Sequence, residues 1–285
     1  GDDYYVVSYG QLTTQFRGFF TVVAAANEPI EVTFTVTTET LAGDGIPALS
    51  AGDSHTMTLE PGELINVESD IADGDLSGTH VKATGKIAVF GGHEAANMRG
   101  ACCADHLEQQ LTPVAAWGTQ YLVSKAWPRM KESDYVRVMA SKENTQVTLT
   151  PGVDTVPLLA AGEYYTFKTP EHIYVTADHP IMVTQYLASS QEVLFGSDLS
   201  QCSNAADCPI GFTCGWWGGN CAGPSCTSTA DCPAGTTCPG GFGGTCEAIG
   251  DPAMMLAVPK EQFMESYVFL IPDAYLDDYV NIVAP

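Results

Sequence analysis

The sequence has few basic residues and no long hydrophobic run. Only 11 Lys and Arg stand against 34 Asp and Glu, and the formal net charge is −23. Such a field repels nucleic acid and anionic membranes, so we expect neither as a partner. We interpret the charge as a solubility surface, or as a means of attracting calcium or a basic partner. No apolar stretch reaches the roughly 18 residues that cross a bilayer, so no membrane insertion is expected.

The motifs of common enzyme classes are also missing. The chain contains no Gly-x-Ser-x-Gly, no phosphate-binding loop and no dinucleotide fingerprint. It has no Asn-x-Ser/Thr acceptor, which is at odds with a heavily glycosylated animal secretory protein. The start, Gly1-Asp2-Asp3-Tyr4, lacks the basic and apolar regions of a signal peptide and is interpreted as processed or excised. We expect a protein that is not an enzyme.

The residue pattern predicts an all-β chain. The segment Glu31–Thr37 alternates with period two and consists mostly of strand formers. Gly, Pro, Asn and Asp interrupt such runs every eight to twelve residues or so, as turns between strands do. The one segment with a helical pattern is Ala104–Leu111, and it is short.

A repeat underlies these predicted strands. Four ordered blocks match between the two halves: Tyr5–Ser8 with Tyr121–Ser124, Phe19–Ala24 with Tyr135–Ala140, Pro47–Asp53 with Pro157–Glu163, and Val81–Val89 with Val175–Val183. We therefore predict repeated antiparallel β-sandwich-like units with a disulfide-rich insertion, or alternatively a β-propeller. The expected divisions are 1–103, 104–200, an insertion at 201–248, and 249–285. The last begins a third unit, because Asp278–Ala284 matches Asp134–Ala140. We expect that unit to be completed by further chain or by another molecule.

Eight of the ten cysteines lie in residues 202–246, where aliphatic side chains are scarce. Since such a segment has little to bury, we expect disulfides to hold it, in an oxidising compartment. Zinc is the alternative, although the cysteine spacings are longer than zinc knuckles use. First-to-third and second-to-fourth pairing predicts Cys202–Cys214, Cys208–Cys221, Cys226–Cys238 and Cys232–Cys246. Cys102 and Cys103 bond each other or reach elsewhere.

Four groups of residues are candidates for a site. His93-Glu94-Ala95-Ala96-Asn97 lacks the second His of a zinc protease. Cys103 and His106 are residue types that serve as a catalytic nucleophile and its base, but the cysteine adjacent to Cys103 favours a structural role for Cys103. Asp70, Asp73 and Asp75 form either an acidic turn or a calcium site. Trp216 and Trp217 stand together in a segment with little core, so they either pack within it or contact a protein or glycan partner.

Three further motifs indicate a family. They are Val89-Phe90-Gly91-Gly92-His93, Asp105–Leu111 with Trp117-Gly118-Thr119, and Gly250–Met254. Together they resemble the IgGFc-binding protein N-terminal family, which implies an extracellular, non-catalytic adhesive or scaffolding module. In that family a Cys usually comes directly before Asp-His-Leu, and its partner cysteine lies several residues upstream. Here Ala104 intervenes and the nearest cysteine is Cys102. Residues 202–246 resemble cysteine repeats of secreted bacterial proteins, so we expect a bacterial source.

The expected function is that of a secreted or cell-surface adhesion module with an extracellular protein or glycan as its ligand. The alternative is a structural subunit of an extracellular layer, sheath or filament, completed by neighbouring chains. A hydrolase that uses Cys103 and His106, or a metal at His93, is the third hypothesis. Antibody binding does not follow from the family name.

Overall fold

The computed structural model describes most of the chain. The described residues are 1–10, 15–43, 45–98, 104–129, 132–152, 154–195, 204, 206, 208, 211–214, 221–233, 236–238, 244–248, 250–268 and 280–282. Antiparallel strands dominate them and form open sheets, which confirms the all-β prediction. One short helix, α1 (Ser190–Phe195), was not predicted. No helix in the described ranges is long and apolar enough to cross a membrane.

The first part of the chain is a β-sandwich. Its strands are β1 (Asp3–Tyr5), β2 (Gly18–Ala24), β3 (Ile30–Thr35), β4 (Ser54–Leu59), β5 (Leu64–Glu68), β6 (His80–Ala83), β7 (Ile87–Ala96) and β8 (Asp105–Gln110). Two four-stranded sheets result, with the orders β1-β6-β3-β4 and β5-β2-β7-β8. Their apolar faces share one core, in which the rings of Phe20 and Phe34 pack edge to face at 5.5 Å.

The second part forms one six-stranded sheet. Its strands are β9 (Gly118–Val123), β10 (Asp134–Ala140), β11 (Val147–Thr150), β12 (Tyr164–Thr169), β13 (Ile173–Tyr186) and β20 (Met254–Leu256). The long strand β13 pairs with β9 and β11 through its first part and with β10 and β20 through its last. A register shift between Thr176 and Ile181 separates the two parts. Side chains of this sheet form a second core.

Strand pairing in the two parts follows the same plan. β1 and β3 both pair with β6, as β9 and β11 pair with the first part of β13. β2 pairs with β5 and β7, as β10 pairs with β12 and the last part of β13. The registers agree as well, since Val22 lies opposite Val89 and Val138 opposite Val183. This agreement supports the predicted duplication, which stays a prediction.

In two of the matched blocks, the residues that are equivalent in the structure differ from those that the sequence match aligns. The Tyr121 hydroxyl donates to the Ile181 carbonyl at 2.6 Å. In the first half the equivalent bond, to the Ile87 carbonyl at 2.9 Å, comes from Tyr4 and not from Tyr5, the residue that the sequence match pairs with Tyr121. In the turn before β12, the Gly162 N–H bonds to the carbonyl of β10's last residue. The corresponding bond to β2 comes from Gly62 in the turn that precedes β5, ten residues after Gly52, the residue matched to Gly162.

Strand pairing also crosses the boundary predicted at 103/104, which stays a prediction. Residues 105–110 form β8 rather than a helix, and β8 pairs with β7 in the first sandwich. Polar helix formers in Asp105–Leu111 gave the helical pattern, but backbone pairing along the edge of β7 overrides that local preference.

Residues after the cysteine-rich segment likewise complete the second sheet. β20 pairs with Thr184–Tyr186 on β13, and Pro259 forms a bridge with Tyr121 on β9. The segment predicted to begin a third unit at 249 therefore starts as part of the second. Of the repeated motif at 278–284, only residues 280–282 are described, and they carry no strand.

The described part of the cysteine-rich segment contains three short two-stranded sheets and is held by disulfides. Its strands are β14 (Thr213–Cys214), β15 (Cys221–Ala222), β16 (Ser225–Cys226), β17 (Thr236–Thr237), β18 (Gly244–Thr245) and β19 (Glu247–Ala248). The bonds are Cys208–Cys221, Cys226–Cys238 and Cys232–Cys246, the pairs expected from the spacing. Cys214 is also disulfide-bonded, and its expected partner Cys202 lies outside the described residues. Sulfurs of Cys226, Cys232 and Cys246 lie close together because two bridges pass there, and none is a free thiol for zinc.

Candidate functional site

A buried arginine joins the two halves of the molecule. Arg137 lies in the middle of β10, a strand whose residues are all buried, and a buried cation requires partners. Its Nη1 lies 2.9 Å from Oδ2 of Asp75. The same nitrogen donates to Ser77 Oγ at 2.5 Å and to the Ser8 carbonyl at 3.2 Å. All three partners belong to the first half, so this one side chain connects both cores.

Tyrosines enclose the guanidinium. Its carbon lies 4.1 Å from the ring centre of Tyr164, 5.5 Å from that of Tyr186 and 5.8 Å from that of Tyr9. The Tyr164 hydroxyl donates to Asp75 at 3.0 Å. Rings so placed stabilise a desolvated cation through their quadrupoles.

Electrostatics keep this pair ionised. Burial acts to raise the pKa of Asp75, but Arg137, Ser77 and Tyr164 together lower it below the usual range. Burial acts to lower the pKa of Arg137, yet Asp75 and the tyrosines raise it above its ordinary value. A carboxylate held this firmly is a poor general base, so we interpret the cluster as a rigid connection between the halves.

A cavity of about 630 Å³ adjoins the Arg137 cluster. Arg137, Lys168 and Tyr135 contribute to its wall. Lys168 Nζ lies 2.8 Å from Glu192 and 4.9 Å from the ring centre of Tyr135, whose hydroxyl also donates to Glu192. Both cations of the wall are thus already paired with carboxylates.

A second buried ion cluster supports the connection between β9 and β10. Lys125 Nζ lies 2.8 Å from Asp134 Oδ1 and 3.7 Å from Glu132. The other oxygen of Asp134 accepts from the Ala126 N–H at 2.7 Å and from Gln185 at 2.6 Å. These groups satisfy one another and order a loop.

His93 does not form a metal site with its neighbours in the described chain. The imidazole is 1 % exposed, and its Nδ1 accepts the N–H of Ala95 at 3.0 Å. Burial lowers the pKa of His93 to about 4, against the opposing effect of Asp75 and Glu94, so the ring is neutral at pH 7. Glu94 instead accepts the Arg17 N–H at 2.8 Å.

Steric crowding explains why glycines occupy the two positions before His93. A Cβ on Gly91 would lie 2.0 Å from the Val7 carbonyl oxygen, and one on Gly92 would lie 2.1 Å from that of Leu107. Neighbouring backbone therefore passes too close to β7 for any side chain. This part of the motif is explained by packing.

Of the predicted nucleophile and base, His106 is described, whereas Cys103 and the adjacent Cys102 lie outside the described residues. His106 is half exposed on β8, with its Nε2 3.5 Å from Glu108 and its ring stacked 5.8 Å from Phe19. These are the contacts of a surface side chain on an edge strand.

The three aspartates proposed for calcium do not converge. Asp70 pairs with Arg17 at 2.7 Å, and Asp75 points into the Arg137 cluster. Asp73 is exposed and adopts a positive φ of 61° in the turn between them. Because two of the three carboxylates are already neutralised by arginines, the geometry gives no support to a calcium site here.

Trp216 and Trp217 lie outside the described residues. In the described part of the cysteine-rich segment, Phe212 and Cys226 share a buried cluster with Val193 of α1. The segment is therefore attached to the scaffold where the second sheet is interrupted, between β13 and β20.

Sequence reasoning missed the Arg137 cluster, although one signal was present. Arg137 is the only charged residue between Asp134 and Lys142, within an otherwise apolar strand. An arginine at that place predicts a buried carboxylate partner. Nothing in the sequence assigns that partner to Asp75.

Comparison with known proteins adds a family. The model of the family described as "IgGFc binding protein" matches residues 1–207 and 223–285. A human protein named IgGFc-binding protein is 30% identical over 186 residues, which are 64% of this chain and 3% of that protein. The chain thus spans a small fraction of its relative's length. No solved structure matches it. The match omits only 208–222, so the second cysteine repeat lies within it, and the predicted insertion at 201–248 and bacterial source stay predictions.

Proposed function

The chain belongs to the IgGFc-binding protein family, and on that premise we propose that it is a non-catalytic adhesion module of a secreted or cell-surface protein. Its partner is an extracellular protein or glycan. The family match is the observation that carries the proposal. The disulfides support the location, because such bonds persist outside the cytosol.

The arrangement of the chain supports a scaffold with an attached recognition segment. The buried Arg137 cluster holds two β units as one body, and the cysteine-rich segment emerges between β13 and β20. Recognition is often added to a rigid β scaffold as a loop. We therefore propose that residues 202–246, with Trp216 and Trp217, contact the partner.

The runner-up is a structural subunit completed by neighbouring chains. It gained its support from an incomplete third unit after residue 249. Because β20 completes the second sheet, that support is weaker. The hydrolase hypothesis is weaker too, because His93 is buried and neutral and His106 contacts Glu108.

Surface plasmon resonance with the disulfide-intact chain tests the proposal. The analytes are immunoglobulin Fc, suggested by the name of the human relative, and a panel of extracellular proteins and glycans. We expect saturable binding that Trp216→Ala/Trp217→Ala weakens at least tenfold. The matched control is Trp127→Ala, since Trp127 is 61% exposed and is not part of residues 202–246. No saturable binding, or equal loss in the control, would contradict the proposal.

A further inference from the structure

β4 and β5 are end strands of the two sheets of the first sandwich, and they flank a groove. β4 ends one sheet order and β5 ends the other. The turn at Glu60–Glu63 joins them on one side of the sandwich. The groove between them has a volume of about 440 Å³, and its lining combines apolar side chains such as Met57 and Leu64 with polar ones such as Asn66. Leu64 is 60% exposed there.

The backbone of β4 offers unpaired hydrogen-bonding groups beside this groove. The Val36 N–H donates to the Asp53 carbonyl at 3.0 Å, so Asp53 and every second residue after it face β3. Backbone groups of an antiparallel strand point alternately to its two sides. The N–H and C=O of Ser54, Thr56 and Thr58 therefore point away from β3. No other described strand pairs with β4 on that side.

The edge of β4 lacks the features that usually protect an edge strand. Its six residues, Ser54–Leu59, include no charged residue and no proline, and pair with β3 without a bulge. The other ends of this sandwich differ. β8 carries Asp and Glu, β1 has three residues, and part of β5 is closed by the bond from the Leu41 N–H to the Glu68 carbonyl.

The segment that forms the groove is acidic. Between Arg17 and Lys82 the sequence has no Lys or Arg, while Asp and Glu occur eleven times. Asp53, Glu60 and Glu63 are exposed at the turns that bound β4. A second copy of this chain would bring the same charge, so charge complementarity favours a cationic occupant.

We propose that the edge of β4 binds an extended basic segment of a partner protein as an added strand. Its backbone pairs with Ser54, Thr56 and Thr58, and its alternate apolar side chains enter the groove beside Met57 and Leu64. Its Lys and Arg side chains face the acidic turns. Strand addition of this kind takes affinity from main-chain bonds and specificity from alternate side chains. The inference rests on the proposed binding function, and it adds to residues 202–246 a second contact surface with its own partner chemistry.

Fluorescence anisotropy with three labelled ten-residue peptides tests the inference. One alternates valine and lysine, one alternates valine and glutamate, and the third is the lysine peptide N-methylated at every second residue. We expect the lysine peptide to bind at least tenfold more tightly than either of the others, and less tightly as salt is raised. Equal binding of the N-methylated peptide, or no saturable binding of the lysine peptide, would overturn the inference.

Two variants locate the binding. Thr56→Pro removes an outward N–H, which an edge strand tolerates, and should weaken binding at least tenfold with the melting temperature nearly unchanged. Glu60→Lys should weaken it several-fold, whereas Glu171→Lys, the same charge change on an exposed residue of the second half, should not. If Thr56→Pro unfolds the chain, the comparison of Glu60→Lys with Glu171→Lys decides whether the peptide binds at β4.

Two further results would also overturn the inference. If Thr56→Pro instead abolishes a concentration-dependent dimer in sedimentation experiments, the occupant is a second copy. If Thr56→Pro binds every extracellular ligand of the intact chain normally, the proposed function stands and this surface fails.

Discussion

Replacing Arg137 by methionine tests whether the buried cluster holds the two halves together. Methionine fills much of the volume but leaves the Asp75 carboxylate without its cation, and the Ser8 carbonyl and Ser77 without that donor. Breaking a buried ion pair in this way costs about 3–5 kcal/mol. Loss of the cation over the Tyr164 ring, 4.1 Å away, is part of that cost. We expect the free energy of unfolding to fall by about that amount.

The assay is equilibrium urea unfolding followed by tyrosine and tryptophan fluorescence. Arg17→Met is the control, because Arg17 pairs with a 42% exposed Asp70 and should cost about 1 kcal/mol or less. Asp75→Asn in the Arg137→Met background should restore part of the loss, since no uncompensated charge remains. Equal losses for Arg137→Met and Arg17→Met would refute the idea that the cluster joins the halves.

Three further predictions concern the scaffold and the cysteine repeats. The pKa of His93 is lowered to about 4, so the contribution of the neutral ring to stability is complete above about pH 6.5 and is lost as pH falls toward 4. In urea titrations, the free energy of unfolding of His93→Gln should therefore depend less on pH in that window. Gly91→Ala places a Cβ 2.0 Å from a backbone oxygen and should cost more than about 3 kcal/mol in urea unfolding, whereas Gly43→Ala, with open space around it, should cost little. Replacing Cys232 and Cys246 by serine should destabilise the second repeat by about 3 kcal/mol while calorimetry shows the main β transition unchanged. A main transition that moves with it would show that the repeats and scaffold unfold together.

The strands that the sequence predicted well are those whose own pattern decides their structure. β3 alternates buried and partly exposed residues over Ile30–Thr35, and the matched strands β2 and β10 are rich in buried valine and aromatic residues. Such periodicity is local, so it can be read without knowing the neighbours. The spacing of cysteines in residues 202–246 is local in the same sense, and the described pairs fall within twelve to fourteen residues of each other.

Features that depend on distant partners could not be predicted. β8 has the composition of a helix and becomes a strand because β7 offers its edge. The Arg137 cluster is harder still to predict, since Arg137 and Asp75 lie 62 residues apart and no local pattern pairs them. The acidic composition was visible in the sequence, but only the strand order shows that β4 presents an unprotected edge beside the groove lined by Met57 and Leu64.

Saturation binding, with turnover measured on the same sample, tests the account's central claim most directly. The disulfide-intact chain is titrated with the best ligand of the extracellular panel by isothermal calorimetry, and is then assayed with peptide, ester and glycoside substrates. The account predicts a saturable isotherm with a defined stoichiometry and no turnover. Turnover that depends on Cys103 or His106, with no saturable binding, would contradict it.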